Sequence, residues 1–353
     1  MNLEKFGWNA SFADSFQPYA DAGYKVGRVY LEHRGGYWLY TEYGELKGEI
    51  SGGMRHKACD RQELPAVGDW VVIRVREAER RATIHAVLPR KSKFSRKIAG
   101  DRTEEQVIAT NVDTAMLVSG LDDDFNLRRI ERYLIMARDS GAETIIVLNK
   151  ADLCADAAQK TEAVKAIASN VPVVCISAAQ NEELSDLLPF TKEGETIAFL
   201  GSSGVGKSTI INRLLGKEAQ KVQEVRASDN RGKHTTTHRE LIVMPGGGLL
   251  LDTPGMRELQ LWLGPEVLHS AFADIESLIT QCYFSNCRHH DESGCAIKQA
   301  LKDKSLDIGR YGNYKKLQKE LDDLAEKQDL RAALVKKEKV KKLTRSFNKN
   351  QKR

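Results

Sequence analysis

Eight residues, Gly201-Ser202-Ser203-Gly204-Val205-Gly206-Lys207-Ser208, satisfy G-x-x-x-x-G-K-[ST] and lie between two apolar runs, Thr196 to Leu200 and Thr209 to Leu215. A loop of this kind commits the chain on both sides. It needs a buried strand before it and a helix after it, because glycines turn backbone N–H groups onto phosphate oxygens and the helix N-terminus adds its favourable dipole. Lys207 is then expected at the β and γ phosphates of a nucleotide, the Ser208 hydroxyl on Mg²⁺, and Thr209 at the mouth of the helix. The bare pattern arises by chance in roughly one chain in a hundred of this length. The flanking strand and helix set aside an ordinary glycine turn.

Downstream, Leu249-Leu250-Leu251-Asp252-Thr253-Pro254-Gly255 reads as a buried strand ending in an acid, Asp252, for the Mg²⁺ shell. A glycine, Gly255, follows, whose N–H can sense a γ-phosphate. Between the two segments, Arg231-Gly232-Lys233-His234-Thr235-Thr236-Thr237-His238 is polar and contains glycine. One hydroxyl among Thr235, Thr236 and Thr237 is placed to complete the Mg²⁺ shell. Upstream, Asn149-Lys150-Ala151-Asp152 closes the apolar run Thr144 to Leu148, and Ser177-Ala178 follows the run Val171 to Ile176. The Asp152 carboxylate can accept from guanine N1–H and from its 2-amine, and adenine offers neither donor on that edge. A carboxylate left unpaired in the site is costly, so ATP is disfavoured. The N–H groups of Ser177 and Ala178 are expected to face guanine O6, with Lys150 along the purine ring. The base-reading pair therefore precedes the phosphate-reading set, an order reached by permuting a domain whose ends lie close together.

At 353 residues the chain exceeds one ordinary core. Its 41% hydrophobic and 29% charged content is that of a globular protein, and no apolar run approaches a membrane span. The opening Met1-Asn2-Leu3-Glu4-Lys5-Phe6-Gly7-Trp8 has no secretory or transit pattern, so a cytoplasmic location is expected. The division expected is an extension over 1–23, a barrel with a basic linker over 24–97, an α/β domain over 98–263, a metal module over 264–310, and a charged helix and tail over 311–353. Five short β-rich runs, Val26 to Leu31, Tyr37 to Thr41, Leu46 to Ser51, Trp70 to Val75 and Thr83 to Leu88, suggest a small closed barrel of the OB or SH3-like kind. Strands alternating with helical patterns from about Gln106 onward suggest a parallel sheet covered by helices. A helix is predicted near Glu266 to Thr280, and a long charged one from about Tyr311 to Leu343.

The net charge of +5 is unevenly placed, since Val335 to Arg353 holds nine Lys or Arg and one acid. Both this tail and the basic stretch Arg90 to Lys97 read equally as solvated segments or as contacts with a polyanion such as RNA. Cys59, Cys154 and Cys175 are scattered and read as buried thiols. Cys282-x4-Cys287-x-His289-x5-Cys295 offers three thiolates and an imidazole, the ligand set of a closed structural Zn²⁺ site.

With these motifs assembled, the chain resembles the small ribosomal subunit biogenesis GTPases, the RsgA (YjeQ or YloQ) family of circularly permuted GTPases. The likeness rests on the permuted order of Asn149 to Asp152, Gly201 to Ser208 and Asp252 to Gly255, on Gly232 to Thr237, and on the flanking barrel and Cys/His modules. It implies a multidomain α/β protein: an N-terminal OB-fold barrel, a central permuted P-loop GTPase with helices on both faces of a parallel sheet, and a C-terminal helical zinc-binding domain. It favours His289 over His290 as the zinc ligand. It further implies binding to the small ribosomal subunit and its 16S-type rRNA, as a monomer, with GTP turned over to GDP under stimulation by that subunit. Met256 stands where Ras-like enzymes carry the glutamine that orients water, and a thioether cannot do that work. His234 is the candidate for the task. Two other readings are an RNA-binding factor in which GTP only sets conformation, and a generic P-loop ATPase.

Overall fold

The residues that begin the chain already show how its parts are joined. Asn9 caps the helix α1 (Ala10–Ala20) by accepting from the Phe12 N–H, and the Phe12 ring packs beside Trp8 and Trp70. In the computed structural model the residues described are 1–326, apart from 34–35, 59, 98–104, 169, 181–183, 217–238, 253–264, 291 and 324. They form two compact units, one of residues 1–96 and 106–260, the other of 97–105 and 261 onward.

In the first unit, β1 (Lys25–His33), β2 (Gly36–Thr41), β3 (Gly44–Ile50), β4 (Trp70–Arg76) and β5 (Arg81–Val87) pair in the order β1-β2-β3-β5-β4 and close through β1–β4. Only β3 and β5 run parallel. With α2 (Gly52–Lys57) between β3 and β4, this is the five-stranded OB barrel. Alternation along the strands turns Val29, Leu39, Leu46, Ile73 and Ile84 inward, all buried.

A second sheet continues from the barrel. Parallel strands β8 (Thr114–Gly120), β9 (Glu143–Asn149), β10 (Val173–Cys175), β11 (Thr196–Leu200) and β13 (Leu249–Asp252) stand in the order β10-β9-β8-β11-β13. Antiparallel β12 (Arg239–Val243) adds to β13 and then pairs with barrel strand β1 through Leu31↔Glu240 and Glu32↔Arg239. Helices α3 (Leu127–Ser140), α4 (Ala157–Ile167) and α5 (Lys207–Leu214) cover the sheet, whose core includes Met116, Val147, Ile197, Ile210 and Leu250. From β8 the chain steps outward to β10, then crosses back to β11 on the other side of β8. Such a reversal opens a crevice at the carboxyl ends of β8 and β11, where ligands bind in open α/β sheets.

Three readings of the sequence change. The stretch from Arg90 to Lys97 is largely structural: Arg90 clasps the fully buried Asp69 at 2.7 and 2.8 Å and the carbonyls of Gln62 and Leu64. Lys91 meets Asp113, Phe94 is buried, and β6 (Lys93–Lys97) pairs with β7 (Glu105–Thr110). Cys154 and Cys175 are half-buried rather than buried, the first between Asp156 and Lys160 and the second at the end of the edge strand β10, while Cys59 lies outside the described residues. The helix predicted near Glu266 to Thr280 is two, α6 (Pro265–Ala271) and α7 (Ala273–Thr280), broken at Phe272, whose backbone is not helical. In this second unit α8 (Ala296–Lys302) and a helix over 308–323 follow. The latter is fastened to α7 by Arg310 on Asp274 at 2.7 and 2.8 Å. The tail from Val335 lies outside the described residues, and no described helix is long and apolar enough to cross a membrane.

Arg28 on β1 is 1% exposed, and among the described residues its hydrogen-bond acceptors are all neutral. It donates to the carbonyls of Phe6, Gly68 and Asn111 and to Thr196 Oγ1, drawing the N-terminal turn, the barrel and the second sheet onto one guanidinium. Burial pulls its pKa down to about 10, so it stays charged near neutrality. Arg28→Met is predicted to take a donor from four buried oxygens, of which only the Gly68 carbonyl keeps another among the described residues, Asn111 Nδ2 at 3.0 Å, and to cost about 3 kcal/mol of unfolding free energy in a urea titration. A change within about 0.5 kcal/mol would show that the guanidinium joins nothing of consequence.

Candidate active site and metal centre

The loop after β11 has the shape its sequence demands. Gly201 has φ +147°, and a Cβ there would stand 2.2 Å from the Val118 carbonyl oxygen. Gly206 has φ +97°, and a Cβ would stand 2.1 Å from Asn149 Nδ2. No side chain fits either place, since both close approaches are needed to lay the loop over the ends of β8 and β9. Val205 is buried beneath the loop, while Ser203 and Gly204 are exposed at its rim. Lys207 opens α5 and is only 7% exposed; its Nζ donates to the carbonyls of Gly201, at 2.6 Å, and Ser202. Ser208 and Thr209 follow, half-buried, in the first turn of α5.

Asn149, at the end of β9, is 3% exposed and ties the two halves of the site together. Its Nδ2 donates to the Val205 carbonyl at 2.8 Å, and its Oδ1 accepts from the Ala178 N–H at 2.9 Å. The backbone of Ala178 thus holds the asparagine as well as edging the site. Lys150 adopts the left-handed conformation, φ +67°, and its ammonium reaches Asp122 at 2.6 Å. Asp152 Oδ1 accepts from Ser177 Oγ at 2.5 Å, which fixes the carboxylate's direction. Asp252 ends β13, a strand in parallel register with β11 through Ala198↔Leu251, and so lies beside the start of the phosphate loop. Gly255, His234, Thr235, Thr236, Thr237 and Met256 lie outside the described residues.

Residues not anticipated from the motifs also border the site. Asp122, Asp124 and Arg129 come from the β8–α3 segment, and Lys160 of α4 donates to the Leu121 carbonyl at 3.1 Å with its ammonium over the Phe125 ring. The acidic run Asp122-Asp123-Asp124 at a strand end was the available signal.

In the second unit, Cys282, Cys287, His289 and Cys295 bring their ligand atoms within 4.8 Å of one another. His289 Nδ1 is 3.6 Å from Cys282 Sγ and 3.5 Å from Cys295 Sγ. Zinc–sulfur and zinc–nitrogen bonds of about 2.3 and 2.0 Å at tetrahedral angles put sulfur and nitrogen about 3.5 Å apart, so the donor set fits the metal. His289 takes the left-handed conformation, φ +61°, to turn its ring inward, whereas the His290 N–H is held by Glu292.

Comparison with known proteins decides the family. A family model described as RsgA GTPase matches residues 87–262. A small ribosomal subunit biogenesis GTPase RsgA from Opitutus terrae is 47% identical over 329 residues, covering 91% of this chain and 90% of that protein. The chain belongs to the RsgA GTPase family. A relative of the same name from Syntrophotalea carbinolica is 40% identical over 98% of this chain and 96% of its own. YjeQ from Thermotoga maritima matches in structure with a TM-score of 0.61 and 26% identity, over 83% of this chain and 97% of its own. YloQ, described as a circularly permuted GTPase, matches at 0.57 with 25% identity, over 87% and 96%. A second family model, described as 50S ribosome-binding GTPase, matches residues 196–352. As an RsgA-family member the chain is a permuted GTPase, hydrolysing GTP to GDP and phosphate.

Replacing Asn149 by Ala removes two buried hydrogen bonds worth about 1 kcal/mol each. GDP binding, followed by titration with a fluorescent analogue, is predicted to weaken roughly thirtyfold. Undiminished affinity would mean that the two halves of the site hold their places without this side chain.

Proposed function

We propose that this GTPase binds the small ribosomal subunit in the cytoplasm, contacts its 16S-type rRNA, and hydrolyses GTP late in subunit assembly at a rate the subunit raises. The observation that carries the reading is the continuous sheet: an OB barrel, a fold that binds oligonucleotides, is hydrogen-bonded through β1 and β12 to the nucleotide sheet. The names of the relatives from Opitutus terrae and Syntrophotalea carbinolica support it.

In this reading Asp152 accepts from guanine N1–H and the 2-amine, Lys150 lies along the purine, and the N–H groups of Ser177 and Ala178 face O6, that of Ala178 shared with Asn149. Residues Gly201 to Thr209 cradle the phosphates, with Lys207 leaving the Gly201 and Ser202 carbonyls to meet the β and γ oxygens. Ser208, Asp252 and one of Thr235, Thr236 and Thr237 hold the Mg²⁺ that accompanies GTP and offsets its charge. Gly255 senses the γ-phosphate. His234 orients the attacking water, since Met256 cannot. Cys282, Cys287, His289 and Cys295 hold a structural Zn²⁺ that cross-links a segment with little core of its own.

Multiple-turnover GTP hydrolysis, measured with increasing small subunit and with large subunit as control, tests the proposal and the large-subunit alternative that the second family model suggests. Small subunits are predicted to raise turnover at least roughly tenfold and large subunits to leave it unchanged. Equal effects of both would sink the small-subunit assignment. His234→Ala should lower the stimulated rate at least roughly tenfold with GTP affinity preserved, and an unchanged rate would remove His234 from the mechanism.

A further inference from the structure

The loop between β8 and α3 touches both ends of the nucleotide site. Asp122 takes the ammonium of Lys150 at 2.6 Å. Two residues on, Asp124 Oδ2 accepts from Arg129 Nη1 at 2.6 Å and from Ser202 Oγ at 2.8 Å. Arg129 Nη1 also donates to Ser202 Oγ at 2.9 Å, closing a ring of three side chains around the second residue of the phosphate loop. The Ser202 carbonyl is in turn one of the two that seat Lys207 Nζ.

Helix stability does not account for Arg129. It lies in the first turn of α3, which holds no acid and where a positive charge opposes the helix dipole. Asn126 supplies the cap, accepting from the N–H groups of Arg128 and Arg129. Arg128 is answered within the helix by Glu131 at 2.9 Å, whereas Arg129 turns outward to the phosphate loop. Burial pushes the Asp124 carboxyl up, yet the hydrogen bonds from Arg129 and Ser202 and the charges of Arg129 and Lys150 outweigh it and hold it below its ordinary value. The bond to Asp124 raises Arg129, so both partners are charged at neutral pH.

We propose that Arg129 is a positioning residue for GTP hydrolysis: it fixes Ser202, and with it the carbonyl that seats Lys207, and ties that seat to the loop holding Lys150. The two lysines that meet base and phosphate thereby share one strap. Arg129 acts through Ser202. The inference rests on the reading of Lys207 as the phosphate-side lysine.

Steady-state hydrolysis by the full-length chain tests it. Arg129→Met is expected to lower kcat roughly tenfold with KM for GTP and the thermal unfolding midpoint unchanged, because a misplaced lysine costs rate more than ground-state binding. A single nitrogen makes both bonds, so Arg129→Lys should recover much of the loss. In a Ser202→Ala background Arg129→Met should cost far less than tenfold, since both residues act through one hydroxyl. An unchanged kcat in Arg129→Met, or the same tenfold loss with Ser202 already replaced, overturns the proposal. Should Arg129→Met not fold, Ser202→Ala removes the hydroxyl through which Arg129 acts and must itself lower kcat about as far; full activity there overturns the proposal equally. Lys207→Ala separates the two levels: wild-type hydrolysis in that variant defeats the underlying reading of the site, whereas an inactive Lys207→Ala beside a fully active Arg129→Met defeats only the role of Arg129.

Discussion

The carboxamide of Asn149 is the contact on which the nucleotide site depends. One side chain satisfies a carbonyl in the phosphate loop and an N–H in the loop after β10, so segments far apart in sequence hold fixed positions around a single buried group. Its low exposure makes both bonds worth keeping, because an unpaired amide in that place would carry the full cost of desolvation. Permutation leaves this untouched. Strand neighbours in the sheet and hydrogen bonds across it are set in space, and the chain can enter the domain at β8 as well as at β11.

What the permuted order does alter is the attachment of neighbouring parts. The strand β12 follows residues 217–238, the stretch containing His234 and the threonines, and its first residues pair directly with barrel strand β1. Arg239 adds an ion pair to Glu32 at 3.6 Å and a bond to the Val107 carbonyl at 3.1 Å. Arg28 reinforces the same junction from the opposite end of β1. The barrel and the nucleotide sheet are therefore one hydrogen-bonded structure, in which a strand adjoining the site is also a neighbour of the barrel wall.

The parts legible in the sequence were those specified locally. Short β-rich runs parted by glycines and polar residues mark the five barrel strands close to their observed limits, and the glycines, Lys207 and the Asn149 to Asp152 run announce their own turns. The Cys/His spacing likewise pointed to residues that the fold gathers into one cluster. Readings that depended on distant partners were less secure. The charges of Arg90 and Lys91 looked like a linker because their partners, Asp69 and Asp113, stand about twenty positions away in either direction. Arg28 gave no sign of its burial, since its acceptors are mostly backbone carbonyls spread from Phe6 to Thr196. Strand β12 gives little signal in the sequence because it is short and follows a polar stretch. Arg129 was hidden for a related reason: an arginine in a helical run reads as solvated until Asp124 and Ser202 are seen beside it.

The central claim is that a carboxylate oriented by Ser177 reads guanine in a site whose halves Asn149 joins. The most direct measurement is the set of dissociation constants of the unmodified enzyme for GDP, IDP and ADP under identical salt and Mg²⁺. Inosine lacks the 2-amine, so IDP should bind at least roughly tenfold more weakly than GDP, and ADP, lacking both donors, at least roughly a thousandfold more weakly. ADP binding within tenfold of GDP would contradict the account.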